Sequence, residues 1–456
     1  MTTDADLPAG LLLTFYGDDF TGSTDAMEVM AFAGLPTVLF VKPPTAAALE
    51  RFRHHRGIGI AGTARARSPQ WMDEHLPGVF QTLFSLGAPI THYKVCSTFD
   101  SSPQVGSIGR AIDIALPMAR ESWSPLVVGA PQLKRWQVFG NLFAGVGAVR
   151  YRLDRHPTMS RHPMTPMSEA DLGRHLAHQT TAAVSLVDLV DLAGGDGDGA
   201  LRRAIARGSI VSFDVLDDAS QAEVGRLIWS NRGQGLFSAS SSGLQYALVS
   251  WWRAAGWLPP AAAVELAAAA PVDRLLVLSG SCSPATAEQI ARAIDAGFAP
   301  CRVDALRIAR DDTRRAEIDR IVEAADRALQ EGRDCIVYTA QSPDDAAIAK
   351  LREQCDAGGT SVVDAQQALG DALGEIASRL MQRHALPRLV LAGGDTSGRI
   401  VDRLPVDALE AVAPLARGSP ICRAYAAAGG LDGLQLVLKG GQVGADDFFL
   451  TAKRGA

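Results

Sequence analysis

The sequence lacks several features that would point to particular chemistries. Its 456 residues hold only six cysteines, Cys96, Cys282, Cys301, Cys335, Cys355 and Cys422, with no CxxC spacing among them. That pattern speaks against a zinc site and for reduced thiols in a cytoplasmic protein. No apolar window approaches the roughly 20 residues a membrane span needs. The run Leu11-Leu12-Leu13-Thr14-Phe15-Tyr16 is too short for a signal-peptide core and follows acidic rather than basic residues. Charge forms no block of one sign, and the formal net charge of −6 is the wrong sign for a nucleic-acid partner. A GxxxxGK[ST] P-loop is missing, and the chain is read as lacking the GxGxxG fingerprint of dinucleotide sites. What these absences leave is a soluble globular protein of ordinary composition, 47% hydrophobic and 21% charged, with a small molecule as its partner.

The length exceeds one core, since about 150 residues per domain is usual, and it predicts two or three domains. Apolar runs of strand length recur at 11–16, 37–41, 57–62, 91–95, 126–130, 183–189, 209–214 and 235–238. They recur again at 275–278, 335–339, 389–392 and 434–438. Helical patterns stand between many of them, for example at 71–86, and this alternation predicts βαβ units and an α/β fold built on mainly parallel sheets. Residues 151–167, rich in Pro, His and Arg, read as a loop over the site. The alanine-rich stretch holding Pro259-Pro260 reads as a boundary, giving domains at 1–255 and 272–456 with a linker at 256–271.

Chemistry gathers where strands end. The first strand runs into Gly17-Asp18-Asp19-Phe20-Thr21-Gly22-Ser23-Thr24-Asp25. One aspartate of the pair can cap the following helix, but that leaves the other without a structural task. A carboxylate at this point can take the proton of an attacking hydroxyl while a second holds a substrate hydroxyl or a metal-bound water. Arg65 and Lys94, at neighbouring strand ends, suit a carboxylated substrate. Ser97, Thr98 and Ser101 serve as helix caps or site contacts, His156 and His162 are further contacts, and Cys96 reads as a small packed side chain rather than a nucleophile. In the C-terminal half, Ser279-Gly280-Ser281-Cys282-Ser283, Gly393-Gly394-Asp395-Thr396-Ser397-Gly398 and Lys439-Gly440-Gly441-Gln442-Val443-Gly444 each follow an apolar strand. Three such loops in one domain suit nucleotide phosphates, because glycine lets backbone N–H groups approach them closely.

This constellation resembles the four-carbon acid sugar kinase family. The opening turn is similar to that family's Asp-Asp-x-Thr-Gly-x-x-Asp signature, residues 240–244 to its Gly-Ser-x-Gly-Leu element, and the three later loops to its nucleotide-binding segments. The resemblance implies a sugar-acid-binding domain, a nucleotide-binding domain, a cleft between them, and ATP-dependent phosphorylation of the terminal hydroxyl of acids such as threonate, erythronate or 3-oxo-tetronate. By position it implies that Asp19 with Asp18, Arg65, Lys94, Cys96, Ser97 and Thr98 face the sugar acid. It sets Ser242, Ser281, Ser283, Gly393, Gly394, Asp395, Thr396, Ser397, Gly440, Gly441 and Gly444 against ATP and its Mg²⁺. Asp19 or Asp18 is the base, the metal ligands are left unassigned, and a homodimer is admitted as the assembly.

One departure stands out. Much of the family reads Lys-x-Asp-Ser-Thr-x-Arg-Gly where this chain has Lys94-Val95-Cys96-Ser97-Thr98-Phe99-Asp100-Ser101, and His162-Pro163 replaces an Asp-Pro. An aspartate beside the place of an arginine implies a different acid, such as the branched 3-oxo-isoapionate. Two other function classes remain as rivals, a dinucleotide-dependent dehydrogenase or epimerase and a non-catalytic sugar-acid sensor. The placement of the glycines counts against the first and the paired aspartates against the second.

Overall fold

The computed structural model describes residues 6–455 except 163, 343, 359 and 360. It divides into two compact units, Met1–Glu265 and Leu266–Ala456. The segment expected as a linker is shared between them. Leu258 N–H bonds back to Trp252 O in the first unit, whereas Val272 N–H bonds to Lys453 O in the second.

The first unit runs through β1 (Leu13–Gly17), β2 (Thr37–Phe40), β3 (Gly57–Ala61), β4 (Ile90–Lys94) and β5 (Ser124–Leu126). Next come β6 (Arg135–Val138), β7 (Asn141–Val146), β8 (Val149–Arg152), β9 (Val184–Val187), β10 (Ile210–Phe213) and β11 (Leu236–Ser240). Its main sheet has the parallel order β11-β4-β1-β3-β2, and a smaller parallel sheet has the order β5-β10-β9. β1 is central and every residue of it is buried. This is why its sequence is a continuous apolar run rather than an alternating one. Beneath its end, Tyr16 stacks on Tyr93 at 6.0 Å and both meet the edge of Phe80, an aromatic floor under the aspartate turn.

The second unit holds β12 (Leu276–Ser279), β13 (Ala299–Arg302), β14 (Cys335–Tyr338), β15 (Arg388–Ala392), β16 (Ala408–Ala416), β17 (Ser419–Tyr425) and β18 (Gln435–Lys439). Five of them, in the order β18-β15-β12-β14-β13, are parallel, and β17 and β16 continue from β18 in antiparallel fashion.

Three readings of the sequence need correction. The antiparallel meander β6-β7-β8 was not expected, and β8 takes Tyr151 and Arg152 out of the supposed loop. Its strands are short and half exposed, so they carry no buried apolar run to read. β13, β16 and β17 were missed as well; the alanines of β16 are weak strand formers. Last, a GxGxxG spacing does occur, at Gly57, Gly59 and Gly62, but the first two lie inside β3. A Cβ on Gly59 would come within 2.2 Å of the Phe15 ring, and one on Gly62 within 2.0 Å of the Tyr16 hydroxyl. These glycines make room for β1 and are no dinucleotide fingerprint.

In the second unit the wholly buried Arg388 on β15 donates to Gln435 Oε1 and Ala270 O, both at 2.8 Å, and to Ala452 O. It thereby ties β18, the start of the unit and the C-terminal helix Phe448–Arg454 to one strand. Arg388→Met leaves those acceptors buried without donors and should cost about 3 kcal/mol or more, read as a lower urea midpoint. An unchanged midpoint would show that the tie is dispensable.

Candidate active site

Strand register builds the site in the first unit. Gly17 lies level with Ala61 and Lys94, and Lys94 level with Ser240. The turns that follow these four residues therefore emerge together at the carboxyl edge of the sheet, the edge where open α/β sheets bind ligands. They bring together Asp18 and Asp19, Arg65, the loop from Cys96 to Ser101, and Ser242.

Asp19 caps the helix Phe20–Ala31. Its Oδ1 accepts the Gly22 N–H at 2.8 Å; its Oδ2 accepts the Thr21 hydroxyl at 2.9 Å and pairs with Arg65 Nη1 at 2.8 Å. Arg65 is thus already paired with a carboxylate of the protein. Asp18 is tied through its backbone, N–H to Lys94 O at 2.9 Å and carbonyl from Arg65 N–H at 3.1 Å. Its side chain is 3% exposed, and Oδ1 has no hydrogen-bond partner among the described residues. Burial pushes the Asp18 carboxyl up to about 8; the charge of Asp19 adds to this, and Arg65 and Lys94 work against it. The two aspartates, adjacent in sequence, therefore have opposite surroundings, one saturated with donors and one held back from ionising.

Lys94 is buried, donates to Val95 O at 2.9 Å, and stands 3.9 Å from Asp25 Oδ2. Asp25 is itself raised by burial, with Lys94 and the Ser242 hydroxyl opposing the rise. Ser242, which the resemblance set against ATP, is a buried residue of the first unit beside Asp25. In the loop after β4, Cys96 Sγ meets Thr98 Oγ1 at 3.1 Å, and the Thr98 hydroxyl donates to Asp100 Oδ1 at 2.6 Å. Burial and Asp100 push the Cys96 thiol up to about 12, so it stays protonated and is no nucleophile. Ser97 sits partly exposed on the same loop.

The second unit repeats the register device. Ala392 lies level with Lys439 and with Ser279, so all three expected loops leave one edge. Gly393 takes φ +119°, open only to glycine, to start the helix Gly394–Arg403. Ser283 caps the helix Pro284–Asp295 and donates to Gly441 O, while Ser281 Oγ reaches Ser283 Oγ at 3.3 Å. Thr396 packs on Gly280, and the buried Ser397 hydroxyl has no partner among the described residues. Gly440 and Gly441 are partly exposed at the loop, and Gly444 is exposed. The Asp395 side chain lies outside the described residues.

Some residues of these sites escaped the sequence reading. Asp25 stood in the quoted turn but was given no task. Lys439, fully buried, donates to Thr286 Oγ1 and Gly440 O, both at 2.9 Å, and to Gly441 O at 3.3 Å. Burial pulls it down to about 7. Gln289 holds the far end of the same loop through Val443 O at 3.0 Å and Ala445 O at 2.9 Å. The lysine before the glycines was a readable signal, whereas Thr286 and Gln289 look like ordinary helix residues.

Residues 13–248 match the sugar-binding N-terminal domain and residues 276–449 the nucleotide-binding C-terminal domain that accompanies it. A 3-oxo-isoapionate kinase of Paraburkholderia graminis is 53% identical over 98% of this chain and 95% of its own length. A 3-oxo-tetronate kinase of Methylobacterium radiotolerans is 31% identical over 96% of this chain and 98% of its own. One from Cupriavidus necator is 30% identical over 97% and 96%. A solved structure from Salmonella typhimurium LT2 matches at a TM-score of 0.77 and 25% identity, covering 97% of this chain and 98% of that one.

The raised Asp18 carboxyl sets a stability test. Between its ordinary value of 3.8 and about 8, the folded chain holds a proton that the unfolded chain releases. Stability attributable to Asp18 therefore falls as pH rises through that window. Asp18→Asn should be more stable than wild type by about 2 kcal/mol or more at pH 8, a gain of several degrees in Tm. The gain should shrink towards pH 4; one that does not depend on pH would contradict the burial argument.

Proposed function

Because the chain belongs to the four-carbon acid sugar kinase family, we propose that it transfers the terminal phosphoryl group of ATP to the terminal hydroxyl of a sugar acid. We take 3-oxo-isoapionate as the substrate, on the strength of the 53% identical relative that bears that name. The straight-chain 3-oxo-tetronate is the alternative, supported by relatives at 31% and 30% identity. The observation that carries the kinase reading is the pairing of two strand-edge sites in one chain. One is rich in carboxylates, and the other is made of glycine and serine loops at two helix N-termini.

In this reading Asp18 takes the proton of the attacking hydroxyl. Its free oxygen and its raised affinity for a proton suit a base working near neutral pH. Asp19 positions the turn and Arg65 rather than moving a proton. The backbone N–H groups following Gly393, the Ala285 N–H behind Pro284, and the loop Gly440 to Gly444 hold the phosphates. Among the described residues no group of three or more His, Cys, Asp or Glu side chains could hold a metal by itself. Mg²⁺ bound together with the nucleotide would neutralise phosphate charge. We place the protein in the cytoplasm, a reading supported by six free cysteines. No helix among the described residues is long and apolar enough to cross a membrane.

An ADP-release assay over straight and branched oxo acids tests the function, and ADP formed with none of them would refute it. With an accepted acid, kcat/KM should rise with pH and level off above about 8, where Asp18 is ionised. Asp18→Asn should lower kcat by about a hundredfold or more. Near-full turnover in that variant would remove Asp18 from the role.

A further inference from the structure

Asp100 has an unusual position for a carboxylate. It is 4% exposed, in the loop after β4, and the residue before it, Phe99, sits at φ +56°. A bulky side chain in the left-handed region is strained and persists only where its surroundings fix it. They do so here. Ser101 Oγ bonds Phe99 O at 3.1 Å, His175 Nε2 at 2.8 Å and Gln179 Nε2 at 2.9 Å. Asp100 itself accepts from the Thr98 hydroxyl at 2.6 Å and more loosely from the Thr165 hydroxyl at 3.4 Å.

Burial would favour the neutral acid, yet Arg65, Thr98 and His162 together keep Asp100 below the usual carboxylate range. It is an anion. Of the two arginines within electrostatic reach of it, Arg65 and Arg135, Arg65 is engaged with Asp19 at 2.8 Å. A carboxylate has about four lone-pair positions, and the Thr98 and Thr165 hydroxyls with the weak Cys96 thiol donor leave room for one more. Burying a charge on such support costs more than a neutral residue would at the same place. Asp100 also lies within electrostatic reach of Asp18, on the sugar-acid side of the site. A group fixed in this way is suited to accept a hydrogen bond from a ligand hydroxyl, and it repels a ligand carboxylate.

We propose that Asp100 is a specificity-determining residue, its carboxylate accepting a hydrogen bond from the hydroxymethyl branch that a branched four-carbon oxo acid carries and a straight one lacks. This rests on the sugar-acid kinase reading above. A pocket built to bond a substrate hydroxyl discriminates strongly against the analogue without it, because its own buried group is then left unpaired.

The test is the ratio of kcat/KM for the branched over the straight oxo acid, measured by ADP release for wild type, Asp100→Asn and Asp100→Ala. The ratio should fall by about tenfold to a hundredfold in both variants, the range expected for a hydrogen bond to a charged group. A second arm needs no variant. Wild type given the acid with methyl in place of hydroxymethyl should lose a comparable factor, and Asp100→Ala should show no such difference between the two branches. Should either variant fail to fold, the other supplies the ratio, and the wild-type comparison can overturn the assignment by itself. An unchanged ratio, or equal use of methyl and hydroxymethyl acids by wild type, overturns the assignment to Asp100 while leaving the kinase reading intact. Wild type that phosphorylates neither oxo acid overturns that reading and this one with it.

Discussion

The carboxylate of Asp19 is the interaction on which the first unit's site depends. It satisfies the N–H of Gly22 at the start of a buried helix, takes the Thr21 hydroxyl and holds the Arg65 guanidinium, three contacts within 2.9 Å. Helix N-termini leave donors that must find partners, and here a side chain supplies one. The consequence falls on its neighbour. With Asp19 saturated and Arg65 engaged, Asp18 is enclosed beside a like charge and, among the described residues, with no donor for Oδ1. One residue of the pair makes the turn rigid, and that rigidity keeps the other in an environment where its proton is easily exchanged near neutral pH.

The second unit meets the same constraint with the opposite charge. Its loops must expose backbone N–H groups to a ligand without collapsing, and glycine-rich segments resist ordering. Lys439 and Ser283 order the Gly440-Gly441 segment from beneath by taking its carbonyls, which leaves the amide side of the backbone unused. Among the described residues the lysine has no carboxylate partner, and burial pulls it down. Its role is that of a strut, and a strut that delivers two hydrogen bonds to the loop and a third to Thr286 on the neighbouring helix is worth its desolvation.

The sequence disclosed the strand-edge logic well, for a physical reason. Parallel strands buried on both faces are continuous apolar runs, and where they stop, polar residues such as Asp18, Lys94 and Ser283 announce a turn. The division of labour within Asp18 and Asp19 was not legible, because it depends on which carboxylate the helix claims as its cap. Nor was Arg65's partner: the sequence offered a cation for a substrate acid, and the fold pairs it with Asp19. The meander β6-β7-β8 escaped because half-exposed strands carry no distinctive run. Thr165 and His175, which support the Asp100 loop, are brought there from 65 and 74 residues away by packing that no local pattern encodes.

Register is what turns these separate sequence signals into sites. Because Gly17, Ala61, Lys94 and Ser240 are level, a one-residue slip of any strand would move its following turn along the edge and reverse the faces of its side chains. The glycines of β3 matter here in a way their spacing alone misrepresents. Gly59 and Gly62 admit the rings of Phe15 and Tyr16, so β1 seats against β3 only in this register. Tyr16 then stacks on Tyr93 and meets Phe80, two residues before Asp18. The raised carboxyl, the capped helix and the paired arginine all follow from that seating. A pattern that mimics a nucleotide fingerprint thus serves, through packing, to set the geometry of the acidic turn.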